Sequence, residues 1–203
     1  LENLVQPLVD GNVEYTYGKQ LAGETSFWSE KQIYRKYFPN EKKLPQEGFF
    51  CNNANSALLF STWKRYNFNE NLTGLEDMEL AQRLVNDGGK IGYIPEAAVY
   101  HLHNETWTGV QRRFEREAIA LKKILPELII RKRDIVRYFI KAVLNDIFSK
   151  NDGRPKFKEI PNIILCPFFG FTGLKLGIAL SMTLTLPSLE ASPILASSNF
   201  LLI

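Results

Sequence analysis

Over 203 residues, 45% hydrophobic and 23% charged side chains exclude a disordered chain and allow one domain with a real core, or a core plus an appendage. Cys51 and Cys166 stand far apart with no C-x-x-C spacing, which excludes a disulfide framework and a zinc knuckle and makes a reducing compartment the expectation. The net charge of +3 is uneven: residues 110–160 hold fourteen Lys/Arg against seven Asp/Glu, +7 there and −4 elsewhere.

Such a basic block favours phosphates or an acidic lipid surface, or is simply a solvated helix face. No helix-turn-helix, zinc finger or RNA-binding aromatic motif accompanies it, so nucleic acid is not an expected partner. The aromatic load, fourteen Phe, eight Tyr and three Trp, reads first as core filling and second as sugar-stacking or membrane-facing rings.

In chain order, residues 1–9 read as an amphipathic helix already under way at Leu1, so a preceding N-terminal part is expected. Asp10-Gly11-Asn12 is a turn, and Val13 to Gly18 alternates as a strand should. Residues 24–37 read as a helix ended by Phe38-Pro39-Asn40, and Phe49-Phe50-Cys51 as a buried strand entering an Asn cluster. Ala57–Phe60 continues that strand or starts a turn, and Ser61–Tyr66 forms a short helix. Met78, Leu80, Ala81, Leu84 and Val85 recur at helical spacing after Glu76, and Asp87-Gly88-Gly89 closes that helix. Lys90–Pro95 and Ala97–Tyr100 read as two strands. Two basic helices come next, at about 106–124 and 127–149.

Beyond a linker at 151–155 the chain turns apolar, with Lys175 the single charge between Ile160 and Pro187. Pro161, Pro167 and the Ser/Thr positions there argue for a packed helix or a membrane-surface element over a spanning one. Residues 181–203 form an apolar tail without clear period.

Four groups carry chemistry. Glu76 and Asp77 open a helix, where exposed N–H groups and the dipole stabilise and aim a carboxylate; as a pair they suit a general base, or merely cap the helix. His101 and His103 follow a strand, and at i and i+2 they point to opposite faces if it continues, so one metal ligand with a neighbour is the more natural arrangement than two ligands. Asn53 and Asn55 offer amides to sugars or phosphates, or serve a turn. Arg112 and Arg113, with Arg116, could clamp a diphosphate with the guanidinium fork, or pair with Glu115 and Glu117 along the helix.

Taken in order and with their spacing, Tyr17-Gly18-Lys19-Gln20, the Asn-rich stretch at 52–55, Gly74-Leu75-Glu76-Asp77-Met78-Glu79-Leu80, Ile94-Pro95-Glu96-Ala97 and Val99-Tyr100-His101 resemble the second half of a family 2 glycosyltransferase of the GT-A fold, in its rhamnosyltransferase-like branch. The likeness covers residues 1–126 and implies an α/β architecture: an incomplete GT-A mixed sheet flanked by helices. A helical basic and apolar extension at 127–180 and the tail at 181–203 would complete the chain.

The resemblance implies sugar transfer, with inversion, from a nucleoside-diphosphate sugar to a glycan or lipid-linked acceptor. Asp77 would be the general base and Glu76 its support. Asn53 and Asn55 would line the pocket, with Arg112 and Arg113 as substrate contacts, while His101, with His103, would approach the metal-bound diphosphate. Such enzymes hold Mn²⁺ or Mg²⁺ on an Asp-x-Asp motif, and the six Asp here (10, 77, 87, 134, 146, 152) form no such pair. Gln111-Arg112-Arg113-Phe114 also falls short of the Gln-x-x-Arg-Trp signature of processive synthases.

The chain is therefore expected to be inactive without a nucleotide-binding half, cytoplasmic, and peripheral to the inner face of an anionic membrane. The alternatives are a non-catalytic, membrane-associated binding fragment and a metal-dependent hydrolase, the latter short of the three protein ligands a catalytic metal needs.

Overall fold

The computed structural model describes residues 1–102, 106–129, 131–148 and 155–182. His103 and all but two residues of the expected 181–203 tail lie outside them. The chain divides into two compact units, Leu1–Ser26 with Glu30–His103, and Phe27–Ser29 with Asn104–Ile203.

The first unit is mixed α/β. Its elements are α1 (Glu2–Val9), β1 (Tyr15–Leu21), most of α2 (Trp28–Tyr37), a 3-10 turn at Asn53–Asn55, β2 (Ser56–Leu58), α3 (Phe60–Tyr66), α4 (Glu76–Asn86) and β3 (Ile91–Tyr100). Three strands pair in the order β2-β1-β3, antiparallel on one side and parallel on the other. The sheet is thus mixed and flanked by helices.

β1 is the central strand, and Tyr15, Thr16, Tyr17 and Gln20 are all buried. Tyr17 meets the rings of Phe38, Phe50 and Tyr93 at centroid distances of 5.1–6.4 Å. Burial of each such side chain contributes on the order of 1.5–3 kcal/mol. Thr16 donates its hydroxyl to the Leu4 carbonyl (2.7 Å), tying α1 to the sheet. In α4 the predicted apolar face is the buried one, through Met78, Leu80, Ala81 and Leu84.

In this unit three local expectations change. The two strands expected around Pro95 are one strand, Ile91–Tyr100. Its register against β1 shifts between Gly18↔Ile94 and Gln20↔Val99, so Pro95, which has no N–H to give, sits in the irregularity rather than in the ladder. Phe49-Phe50-Cys51 is not a strand; Phe49 and Cys51 are buried from a loop instead. The helix expected from residue 24 begins at Trp28.

The second unit holds α5 (Trp107–Ile124), α6 (Lys132–Ile147), a 3-10 turn at Phe157–Glu159 and α7 (Ile160–Met182). Thr106 caps α5 by accepting from the Gly109 N–H (3.2 Å). In α6, the Asp134 carboxylate takes the Arg131 N–H (2.9 Å), which satisfies a donor at the helix start. The second basic helix therefore starts about five residues later than the sequence pattern implies.

α7 lies on α5 through glycines. A Cβ at Gly173 would stand 2.2 Å from the Gln111 carbonyl oxygen, and one at Gly170 would stand 3.1 Å from the Phe114 ring. Phe27, Trp107 and Phe169 stack successively, at 5.0 and 5.7 Å, and the Trp28 indole N–H donates to the Asp146 carbonyl (2.9 Å). Among the described residues no helix is long and apolar enough to cross a membrane.

Candidate functional site

The predicted base lies in the first unit, at the second position of α4. The residue before the helix, Leu75, is left-handed at φ 59°. For a leucine this costs roughly 1 kcal/mol, and such strain gathers where a site demands a fixed chain direction. It turns the chain so that the Asp77 carboxylate accepts two backbone N–H groups, from Asn53 (2.7 Å) and from Met78 (2.8 Å).

Burial raises the proton affinity of Asp77 above that of an ordinary aspartate, the neighbouring Glu76 charge adds to this, and the two N–H donors oppose it. The result is a held, part-desolvated carboxylate that is more basic than usual. That combination suits proton abstraction.

The histidine is positioned by Gln20 and Asn52, which stand in the resembling motifs but to which the sequence assigns no role of their own. His101 follows β3, and its backbone N–H bonds to Leu21. Its Nδ1 lies 2.6 Å from Gln20 Oε1. Gln20, only 1% exposed, uses its amide N–H to donate to Asn52 Oδ1 at 2.6 Å. This orients the Gln20 carbonyl toward the ring, so His101 Nδ1 is the nitrogen that donates to it. Asn52 Oδ1 also takes the Ala54 N–H (3.0 Å) and so forms the turn. From Asn52 the chain passes to Asn53, whose N–H holds Asp77.

A continuous path thus joins base and imidazole: His101, Gln20, Asn52, Asn53, Asp77. No family model, curated protein or solved structure matches this chain.

Asn53 and Asn55 hold the site together through their side chains. Asn53 Oδ1 accepts from the Ser56 hydroxyl (2.6 Å) and more distantly from Tyr15 (3.5 Å). Asn55 Nδ2 donates to the Ala97 carbonyl (2.6 Å), across Gly18 of β1. A Cβ at Gly18 would stand 2.1 Å from that oxygen and 2.2 Å from the Asn55 nitrogen, so only glycine lets the bond pass. The sequence places these asparagines in the pocket lining; the structure gives them contacts that fix the loop and, through Asn53, the base.

Cys51 is buried beside this cluster, and burial, with the Asp77 charge adding to it, pushes its thiol well up, which makes it inert packing rather than a nucleophile. Tyr15 is likewise pushed up by burial.

Arg112 and Arg113 belong to the second unit, on α5. Arg113 sits over the Phe114 ring (5.3 Å) and faces Glu117 at 3.8 Å, the helical pairing that the sequence left open; Arg112 is exposed. For a divalent metal, His101 is the imidazole of the first unit whose ring a second side chain, Gln20, orients, as is usual for ligating histidines. Among the described residues no group of three or more His, Cys, Asp or Glu gathers to hold a metal.

Proposed function

We propose that this chain is the acceptor-side portion of an inverting glycosyltransferase of family 2 and GT-A type, acting on a glycan or lipid-linked acceptor with a nucleoside-diphosphate sugar as donor. The observation that supports the reading is Asp77. It is a carboxylate aimed by two backbone N–H groups, made more basic by burial, and held by the same Asn52-Asn53 turn that supports Gln20 against the His101 ring.

In the reaction, Asp77 takes the proton of the acceptor hydroxyl as that oxygen attacks the anomeric carbon. The bond from that carbon to the diphosphate oxygen breaks on the opposite side, the nucleoside diphosphate leaves, and the anomeric centre inverts. Glu76 orients the acceptor, and Asn53 keeps Asp77 in place. Mn²⁺ or Mg²⁺, when bound, would neutralise charge on the leaving diphosphate; His101 is the residue of this chain that would approach it.

An Asp-x-Asp anchor is absent from these 203 residues. Transfer is therefore expected only from a protein in which a nucleotide-binding half is joined to them, in the cytoplasm and at the inner face of the membrane.

The test starts with the coding sequence upstream of the Leu1 codon. An in-frame α/β half ending in Asp-x-Asp is expected. The joined protein should then transfer sugar from one of a panel of UDP-, GDP- and dTDP-sugars with Mn²⁺. Positioned general bases contribute about 10²–10⁴-fold, so Asp77→Asn should lower kcat by at least about 100-fold while nucleotide affinity stays unchanged. Undiminished transfer by Asp77→Asn would refute the assignment of the base. Transfer by the 203-residue chain alone would refute the need for the second half.

A further inference from the structure

The exposed face of α6 carries two parallel ridges of opposite character. Val136, Ile140 and Leu144 recur every fourth residue and are 58%, 51% and 46% exposed; Phe148, at the helix end, extends the row at 72%. Beside them Arg133, Arg137 and Lys141 form a second row at the same spacing, all exposed. At 1.5 Å per residue the apolar row runs for about 18 Å. Neither row contains a carboxylate; the neighbouring Asp134 is at 4.0 Å from Arg133 and is engaged by the Arg131 N–H. In the same unit Phe157 is 89% exposed between two exposed lysines, Lys156 and Lys158.

Helices of globular proteins show their polar face to water, so an apolar ridge of four large side chains left outside needs a partner. Its chemistry is legible from the second row. Three cations alongside it, on stems long enough to lie flat while their heads reach outward, match a surface that is apolar below and anionic above.

We propose that this face of α6 docks on the surface of an anionic lipid bilayer, with Val136, Ile140, Leu144 and Phe148 entering the headgroup–acyl boundary and Arg133, Arg137 and Lys141 meeting lipid phosphates. An acidic protein would answer the cations but leave the apolar ridge unexplained, and a second copy would bring cations against cations. This docking stands whether or not the chain transfers sugar.

The test is co-sedimentation of the 203-residue chain with vesicles of phosphatidylcholine, with and without phosphatidylglycerol. Binding is expected only with phosphatidylglycerol and should weaken steeply with added salt, because surface attraction is screened within a Debye length. Replacing Arg133, Arg137 and Lys141 together by Gln should lower partitioning roughly 100-fold, at about fivefold per cation. The double variant Ile140→Ser, Leu144→Ser should also detach the protein, although its charge is unchanged. All five positions are exposed, so circular dichroism should show every variant folded.

Equal binding to neutral vesicles, or binding insensitive to both sets of variants, would overturn the proposal. So would self-association that the Ser variants abolish in the absence of lipid.

Discussion

Replacing Gly18 by alanine adds one methyl group at the point where the site is stitched to the sheet. Gly18 has no positive φ requirement, so alanine is permitted by the backbone and the cost is one of space alone. The new Cβ would lie 2.1 Å from the Ala97 carbonyl oxygen and 2.2 Å from Asn55 Nδ2, well inside any real contact. Either β3 withdraws from β1 or the Asn55 side chain is expelled.

The second course forfeits the 2.6 Å bond to Ala97, worth about 1 kcal/mol net. The overpacking adds about 1–3 kcal/mol. Against these, alanine restricts the unfolded chain by about 0.4–1 kcal/mol. The balance is a loss of about 1–3 kcal/mol, which at a slope of about 2 kcal/mol per molar moves the urea midpoint down by roughly 0.5–1.5 M.

Asn55→Ala alone should cost about 1 kcal/mol. Combined with Gly18→Ala it should cost less than the sum, since one of the two collisions has been removed. A Gly18→Ala protein within about 0.5 kcal/mol of the parent, or strict additivity of the pair, would refute the reasoning.

Gln20→Leu takes the 2.6 Å acceptor from His101 Nδ1, while Asn52 Oδ1 keeps the Ala54 N–H. Losing the two part-buried bonds of Gln20 should cost about 1–3 kcal/mol, together with a change in the His101 ring-nitrogen NMR shifts; unchanged shifts would dismiss the orienting role. Burial raises the Asp146 carboxyl above its ordinary value, so the folded state holds that proton more tightly than the unfolded one. Its contribution is present below about pH 4 and is lost as pH rises through the raised folded value. Asp146→Asn should flatten the urea midpoint across that window, and an unaltered slope would count against it. For Asp77, raised in the same direction, the acidic limb of kcat in the joined protein should fall above the ordinary aspartate range, and a limb at or below that range would contradict the desolvated base.

The sequence announces elements whose evidence is local. α4 is legible from the spacing of Met78, Leu80, Ala81 and Leu84, and β1 from the alternation around Tyr15 and Tyr17. Asp77 is visible because it opens a helix. Gln20 is visible only as the end of a motif; its burial and its orienting role depend on β1 being central, which only the pairing with β2 and β3 decides. Pro95 misleads in the opposite way. It signals a strand end, and the register shift of β3 lets it stay inside one.

Phe49-Phe50-Cys51 shows why an apolar run is ambiguous, since a loop can bury rings as well as a strand can. The loop-fixing role of Asn53 and Asn55 depends on their partners Ser56 and Ala97, which local sequence does not specify.

The stretch from Asn52 to Ser56 owns little regular structure, a single 3-10 turn and the first residue of a three-residue strand. Its order is borrowed from Gln20 beneath it and from Ala97 beside it. The loop that holds the base therefore cannot open fully without disturbing the central strand of the sheet. Amide exchange along Tyr15–Leu21 would be the clock against which exposure of the base is read.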